Sequence, residues 1–240
     1  MDTEYTLSVV FCTTNETYSL IESFSNIKKY DCAEEYLFVV SQKASDDCLE
    51  IVKELCKKNK NCSYMFQSGF GLGNAIQDAI ASATTSHMIF WPADHDMDSN
   101  SFPQMVQLSR RNRDKIITVS RWLADDGFQG YGNFRKLLNY LSQKAFGLLF
   151  KSNLTDFTNP TQIAPVKLYK KINWEGSDFE LIPELIFKPL KIGCEFIEVP
   201  CKSIPRKDGK TNGNFFKFAK YYSIIYKIYK MTKKDILIGE

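Results

Sequence analysis

In its first half the chain alternates short runs of β-branched and aromatic residues with longer stretches of helical apolar spacing. "YTLSVVFCT" reads as a strand and "ETYSLIESFSNIKKY" as a helix. "EYLFVVS" with "SDDCLEIVKELCKKN", and "CSYMFQS" with "GLGNAIQDAIASATT", repeat the pair before "HMIFWPA" supplies a fourth strand. This order constrains the fold more than any other feature. Parallel strands need long crossover connections, so a strand–helix alternation predicts a mainly parallel sheet covered by helices. The near-continuous apolar run of "HMIF" predicts a strand buried on both faces. In open sheets of this kind ligands bind beyond the carboxyl ends of the strands. At that end of the fourth strand the chain places "PADHDMDS", with Asp94, Asp96 and Asp98 at alternate positions.

The second half is less regular. It reads as a helix "FPQMVQLSRRNR", a strand "KIITVSRW", a glycine-rich loop "DDGFQGYGN" and a long helix "FRKLLNYLSQKAFGLLF". A turn and strand "DFTNPTQIAPVKLYKKI" follow, then a helix "FELIPELIFKPLKI" interrupted near its start by Pro183, and an edge strand "EFIEVPCKSIPR". Ser45 or Asp46 is placed to cap the second helix, and Asp98 or Ser99 the one after the aspartates. The closing stretch has helical spacing, with Lys217, Lys220, Lys227, Lys230 and Lys234 on one broad face and aromatics and isoleucines on much of the rest. At 240 residues and 27.7 kDa this organisation predicts one α/β domain over 1–213 and a basic amphipathic helical tail over 214–240.

A net charge of +3 gives no reason to expect a nucleic-acid partner. The seven cysteines form no CxxC pair, which points away from zinc sites and disulfide frameworks and towards reduced thiols in a cytoplasmic protein. No apolar run approaches the ~18 residues of a membrane span. Membrane contact would therefore be peripheral, at the inner face, with residues 214–234 as the interfacial helix. Whether the aromatic face of that helix meets lipid, its own domain or a second copy in a homo-oligomer is left open by the sequence.

Side chains two apart on an extended segment point the same way, so Asp94, Asp96 and Asp98 could present hard oxygen ligands together. Such a set suits Mg²⁺ or Mn²⁺, which bind one or two carboxylates plus the phosphates of a substrate. The same residues also fit a solvated turn that caps the next helix. His95, between two of them, reads as a packing or hydrogen-bonding residue.

Several weak motifs then occur in order: "LSVVFCTTNE", "LFVVSQKASDD", "GFGLGNAI", "IFWPADHD", "VSRW" and, later, "DFTNPTQI" with "FELIPELIFK" and "IEVPCKSIPRKDGKTN". Together they resemble the family 2 glycosyltransferases of the GT-A fold, and within them the polyprenyl-phosphate, dolichol-phosphate mannose synthase-like sugar transferases. The resemblance runs from about residue 6 to 213. It implies a nucleotide-sugar donor bound through a divalent metal, a lipid-phosphate or glycan acceptor, and inversion at the anomeric carbon.

By the same resemblance Thr14 and Glu16 would contact the nucleotide, and Ser41 and Gln42 stand where relatives carry base-binding acids. Gly71 and Gly73 would allow close backbone approach beneath the donor. Pro92 replaces the first aspartate of the Asp-x-Asp motif, Asp94 keeps the second, and Asp96 would restore the lost charge as a second metal ligand. Arg121 would neutralise the leaving diphosphate. Arg206, near Lys207 and Lys210, matches a phosphate-clamping basic residue, although Asn212 replaces a lysine at the end of that motif. A hydroxyl acceptor would need a general base, for which Asp178, Glu180 and Glu184 are candidates. Two other readings compete: a sugar nucleotidyltransferase, whose glycine-rich basic phosphate loop is missing from "VVFCTTNETYS", and a non-catalytic binding partner that has lost the family acids.

Overall fold

The computed structural model describes residues 4–205 and 215–239. Its first half is β1 Leu7–Thr13, α1 Tyr18–Lys28, β2 Glu35–Val40, α2 Asp46–Lys58, β3 Cys62–Phe66, α3 Leu72–Ser82 and β4 His87–Phe90. The second half comprises α4 Phe102–Arg111, β5 Ile116–Ser120, α5 Asn133–Phe150, β6 Gln162–Pro165, α6 Val166–Tyr169, α7 Leu181–Ile192, β7 Phe196–Pro200, α8 Phe215–Lys230 and α9 Lys233–Ile236.

These strands form one seven-stranded sheet in the order β3-β2-β1-β4-β6-β5-β7. All neighbours are parallel except β6, which runs antiparallel to both β4 and β5. The mainly parallel, mixed sheet expected of the chain is the one it forms, with β7 at an edge.

Period-two alternation decides which side chains go to which face. Leu7, Val9 and Phe11 of β1 and Tyr36, Phe38 and Val40 of β2 pack on one face with Phe24 of α1, Val52 of α2 and Phe102 and Met105 of α4. Val10, Leu37 and Val39 point the other way, to Ala75, Ile76 and Ala79 of α3 and Leu181 and Leu185 of α7. Phe11 and Phe38 stack across the parallel β1–β2 pair with centroids 5.4 Å apart.

A third cluster joins Phe146 of α5, Phe157, Ile186 and Phe187 of α7, and Ile225 and Ile228 of α8. The apolar stripe of the tail therefore packs on the domain, while Lys220 and Lys227 pair with Glu180 and Glu175. Among the described residues no helix is long and apolar enough to cross a membrane.

Two local expectations change. Pro183 does not interrupt α7; it is the third residue, where a missing N–H removes no intrahelical bond. The interior proline is Pro189. Its ring leaves the Leu185 carbonyl without the usual i+4 donor, and buried Gln162 Nε2 donates to that carbonyl at 2.8 Å. The segment after β4 is not extended either: the chain turns at Ala93–Asp94, and His95 adopts a left-handed φ of 53°. The alternation of the three aspartates is broken there.

Candidate functional site

The loops after β1, β2, β3, β4 and β5 converge on a cleft of about 610 Å³ at the carboxyl end of the sheet. Its walls include Thr14 and Glu16 after β1, Ser41 after β2, Gln67 after β3, Asp94 and Asp96 after β4, and Arg121 after β5. The far wall comes from Tyr131, Thr158–Thr161 and Asp178–Phe179.

Glu16 organises the first loop. One of its oxygens, Oε2, accepts from Thr13 Oγ1 at 2.8 Å, Thr14 N at 2.7 Å and Asn15 N at 3.1 Å. Backbone donors ahead of a helix are met in this way by a nearby carboxylate, which holds Thr14 at the cleft. Ser45 caps α2 as expected, accepting from Cys48 N. Ser41 is buried beside the cleft, and its hydroxyl accepts from Lys43 N. Gln42 does not line the cleft: its amide donates to the Gln67 and Ser68 carbonyls and ties the ends of β2 and β3 together. Burial pushes the Cys12 thiol, on the cleft floor, up to about 12.

The turn at Ala93–Asp94 sorts the aspartates. Asp94 and Asp96 line the cleft, and Asp98 caps the 3-10 turn Ser99–Ser101 by accepting from Asn100 N. His95 is directed back to α1, with Nε2 3.0 Å from Asn26 Nδ2 and Nδ1 3.7 Å from a Glu22 oxygen. Among the described residues no three His, Cys, Asp or Glu side chains gather as a metal cage. Two carboxylates at an open cleft instead fit a cation that takes its other ligands from substrate phosphates and water, as Mg²⁺ or Mn²⁺ does.

Arg121 directly follows β5 and is almost fully buried. Its Nε and Nη2 donate to Asp156 at 2.7 and 2.8 Å, Nη2 also reaches Thr158 Oγ1 at 2.7 Å, and Nη1 reaches Tyr131 Oη at 3.3 Å. Burial alone would lower its affinity for a proton, but Asp156 and, more weakly, Asp96 raise it, so the guanidinium is a permanent cation. Its position is fixed from behind, because Asn139 and Gln143 of α5 donate to Thr158 Oγ1.

The two glycines before and within α3 serve a backbone crossing. A Cβ at Gly73 would lie 2.3 Å from the Gly176 carbonyl oxygen, and one at Gly71, where φ is +96°, 2.5 Å from that of Ser177. Gly71 lines the cleft and Gly73 does not. What both admit is the loop carrying Asp178, whose Oδ1 accepts from Leu72 N at the start of α3.

Of the other base candidates, Glu180 lies outside the cleft lining and is held by Lys220, which pulls its carboxyl below the usual range. Glu184 is buried against Lys188 and accepts from Glu175 N. Arg206, Lys207, Lys210 and Asn212 lie outside the described residues. Sequence reasoning gave no role to Tyr131, Asp156, Thr158, Asn159 or Gln67, although "DFTNP" had matched as a motif.

The fold resembles solved glycosyltransferases. Glucosyl-3-phosphoglycerate synthase from Mycobacterium tuberculosis, solved with Mn²⁺, uridine diphosphate and phosphoglyceric acid, superposes with a TM-score of 0.69 at 10% identity, over 95% of this chain and 79% of the other. The same enzyme with Mn²⁺, UDP-glucose and glycerol 3-phosphate gives 0.65 at 11%, over 92% and 78%. A further mycobacterial protein gives 0.65 at 12%, over 93% and 72%. Residues 8–172, which run from the second residue of β1 through β6 and hold most of the cleft, match glycosyl transferase family 2. The chain belongs to that family and is a glycosyltransferase of the GT-A fold.

Proposed function

We propose that the cleft binds a nucleotide-sugar and that the enzyme transfers its sugar, with inversion, to a phosphate-bearing or hydroxyl acceptor, either a lipid-linked phosphate or a glycan. The observation that carries this reading is the convergence of Thr14, Glu16, Ser41, Asp94, Asp96 and Arg121 from the ends of four strands, β1, β2, β4 and β5, with Asp178 opposite. The similarly folded synthase, solved with Mn²⁺, UDP-glucose and phosphoglyceric acid, adds support for a nucleoside diphosphate donor and an anionic acceptor.

Asp94 and Asp96 would hold Mg²⁺ or Mn²⁺, which when bound supplies positive charge to the donor's diphosphate. Arg121, pre-oriented by Asp156, Thr158 and Tyr131, adds a fixed cation where negative charge grows on the leaving group. Thr14 and Ser41, held in place by loop hydrogen bonds, orient the nucleoside. Asp178 is the carboxylate best placed to take a proton from a hydroxyl acceptor; a phosphate acceptor, already anionic, needs none.

The test is a thermal-shift screen of UDP-, GDP-, CMP- and dTDP-sugars with and without Mn²⁺, because a ligand that binds only the folded state raises the melting temperature. One donor should stabilise the protein chiefly when the metal is present, and Asp94→Ala and Asp96→Ala should each remove that shift together with metal-dependent donor hydrolysis. Absence of a shift with every donor, or an unchanged shift in both variants, would refute the assignment.

A further inference from the structure

α5 faces two ways. Its inner residues Asn139, Gln143 and Phe146 pack on the domain and brace Thr158 behind Arg121. Its outer face carries Phe134, Leu137, Leu138, Leu141 and Leu148, at the i, i+3, i+4, i+7 spacing of a single apolar stripe. These side chains are among the most exposed large apolar groups described: Leu148 is 83%, Phe134 74% and Leu141 54% accessible. Single exposed leucines are ordinary, but a ridge this long on one helix marks an interaction surface.

α8 lies alongside. Ser142 and Tyr222 share a hydrogen bond at 2.8 Å, and Tyr222 and Tyr229 contact Phe146 and Phe150. Tyr222, Tyr226 and Tyr229 thus extend the ridge as exposed aromatics.

Charge identifies the occupant. Neither helix contains an Asp or Glu. Arg135, Lys136, Lys144 and Lys230 flank the apolar and aromatic residues, and each lies over an aromatic ring. A symmetric dimer through this face would set the patch against itself and bring like charges together without a carboxylate from either helix to pair them. An anionic bilayer surface meets every requirement at once: acyl chains for the leucines, the headgroup boundary for the tyrosines, and phosphates for the Lys and Arg heads.

We infer that the outer face of α5, extended by the exposed tyrosines and Lys230 of α8, docks the enzyme on anionic membrane. The seat of membrane contact is then chiefly the helix that braces the cleft, and the tail, whose Ile225 and Ile228 pack inward, has the lesser part. Docking in this way brings the cleft wall at Tyr131, two residues before α5, close to the lipid surface, where a lipid-linked acceptor would be presented.

The experiment is vesicle flotation of the full chain without donor or metal, using phosphatidylcholine mixed with phosphatidylglycerol, and phosphatidylcholine alone. Wild type should float with the mixed vesicles, less with the neutral ones and less at high salt. Leu141→Glu combined with Leu148→Glu should lower the floated fraction by about tenfold or more. Both side chains are exposed, and an unchanged melting temperature in the variant confirms that its fold is intact. Wild type that stays unbound, or a double variant that floats equally well, overturns the inference. So does a dimer in sedimentation that the double variant dissolves while vesicles bind neither form. Because no donor is present, loss of the proposed transfer reaction would leave this result standing, and the reverse also holds.

Discussion

Arg121 and Asp156 form a buried ion pair beside the cleft, with side chains 8% and 0% accessible. Taking both charges out of water is costly, so the pair is poor evidence of net stabilisation; removing one partner is another matter, because the other charge is left uncompensated. Asp156→Ala should therefore cost about 3–5 kcal/mol, read as a lower urea midpoint. Burial by itself would raise the Asp156 carboxyl, and the guanidinium of Arg121 overrides burial and holds it below the usual range. A carboxyl lowered on folding contributes stability that is fully present above the unfolded value, about 3.9, and is lost as pH falls through the lower folded value. Asp156→Asn should flatten the acid limb of stability against pH; coincident limbs in variant and wild type would show that the pair contributes nothing to it. Gly73 supports a second prediction at this scale. With a Cβ site 2.3 Å from a backbone oxygen, Gly73→Ala should cost about 1–3 kcal/mol and lower the melting temperature, since the α3 backbone or the Asp178 loop must shift.

The proline inside α7 shows how one element leans on another. Gln162 of β6 fills the place of the amide that Pro189 cannot supply, and the same Nε2 donates to Tyr169 Oη at 2.7 Å. Gln162→Leu should strand both acceptors in the interior and cost about 1–3 kcal/mol in denaturant unfolding. Gln162→Leu combined with Pro189→Ala should recover part of that loss, because the restored helix amide again reaches the Leu185 carbonyl. No recovery would mean that the Gln162 contact to Leu185 is incidental. Elements of the first half were legible because each has its own period: "LSVVFCT" and "EYLFVV" alternate between two buried faces, and helix caps such as Ser45 announce themselves locally. β6 was legible as a strand, but its antiparallel place between β4 and β5 is a long-range pairing that no local pattern encodes. The candidate site divides in the same way. Residues at strand ends, such as Thr14, Asp94 and Arg121, could be read from position, whereas Asp156 and Tyr131 join it only through pairings 35 and 10 residues away in the chain.

The sheet is continuous across the molecule, yet the cleft is walled by two different stretches of chain. Thr14, Glu16, Ser41 and Asp94 come from the β1–β4 half, and Tyr131, Thr158 to Thr161, Asp178 and Ser203 from the rest. The halves also interlock: Ile204 N donates to the Asp96 carbonyl and Ser203 N to that of Gly127, so the strap after β7 holds both the aspartate turn and the loop before α5. A ligand spanning this cleft would stabilise both halves together. For the donor that the thermal screen selects, saturation with Mn²⁺ present at about 100 times the dissociation constant should add about 2.7 kcal/mol to global stability. In hydrogen exchange the slowing should appear in Thr14–Asn15 and Asp94–Asp96, and equally in Arg121, Thr158 and Ser203. These last amides lie across the cleft, and their slowing would show the two halves responding as one cooperative unit. Slowing confined to the first half would mean that the donor engages only the β1–β4 loops, and the role given to Arg121 at the leaving group would fall with it.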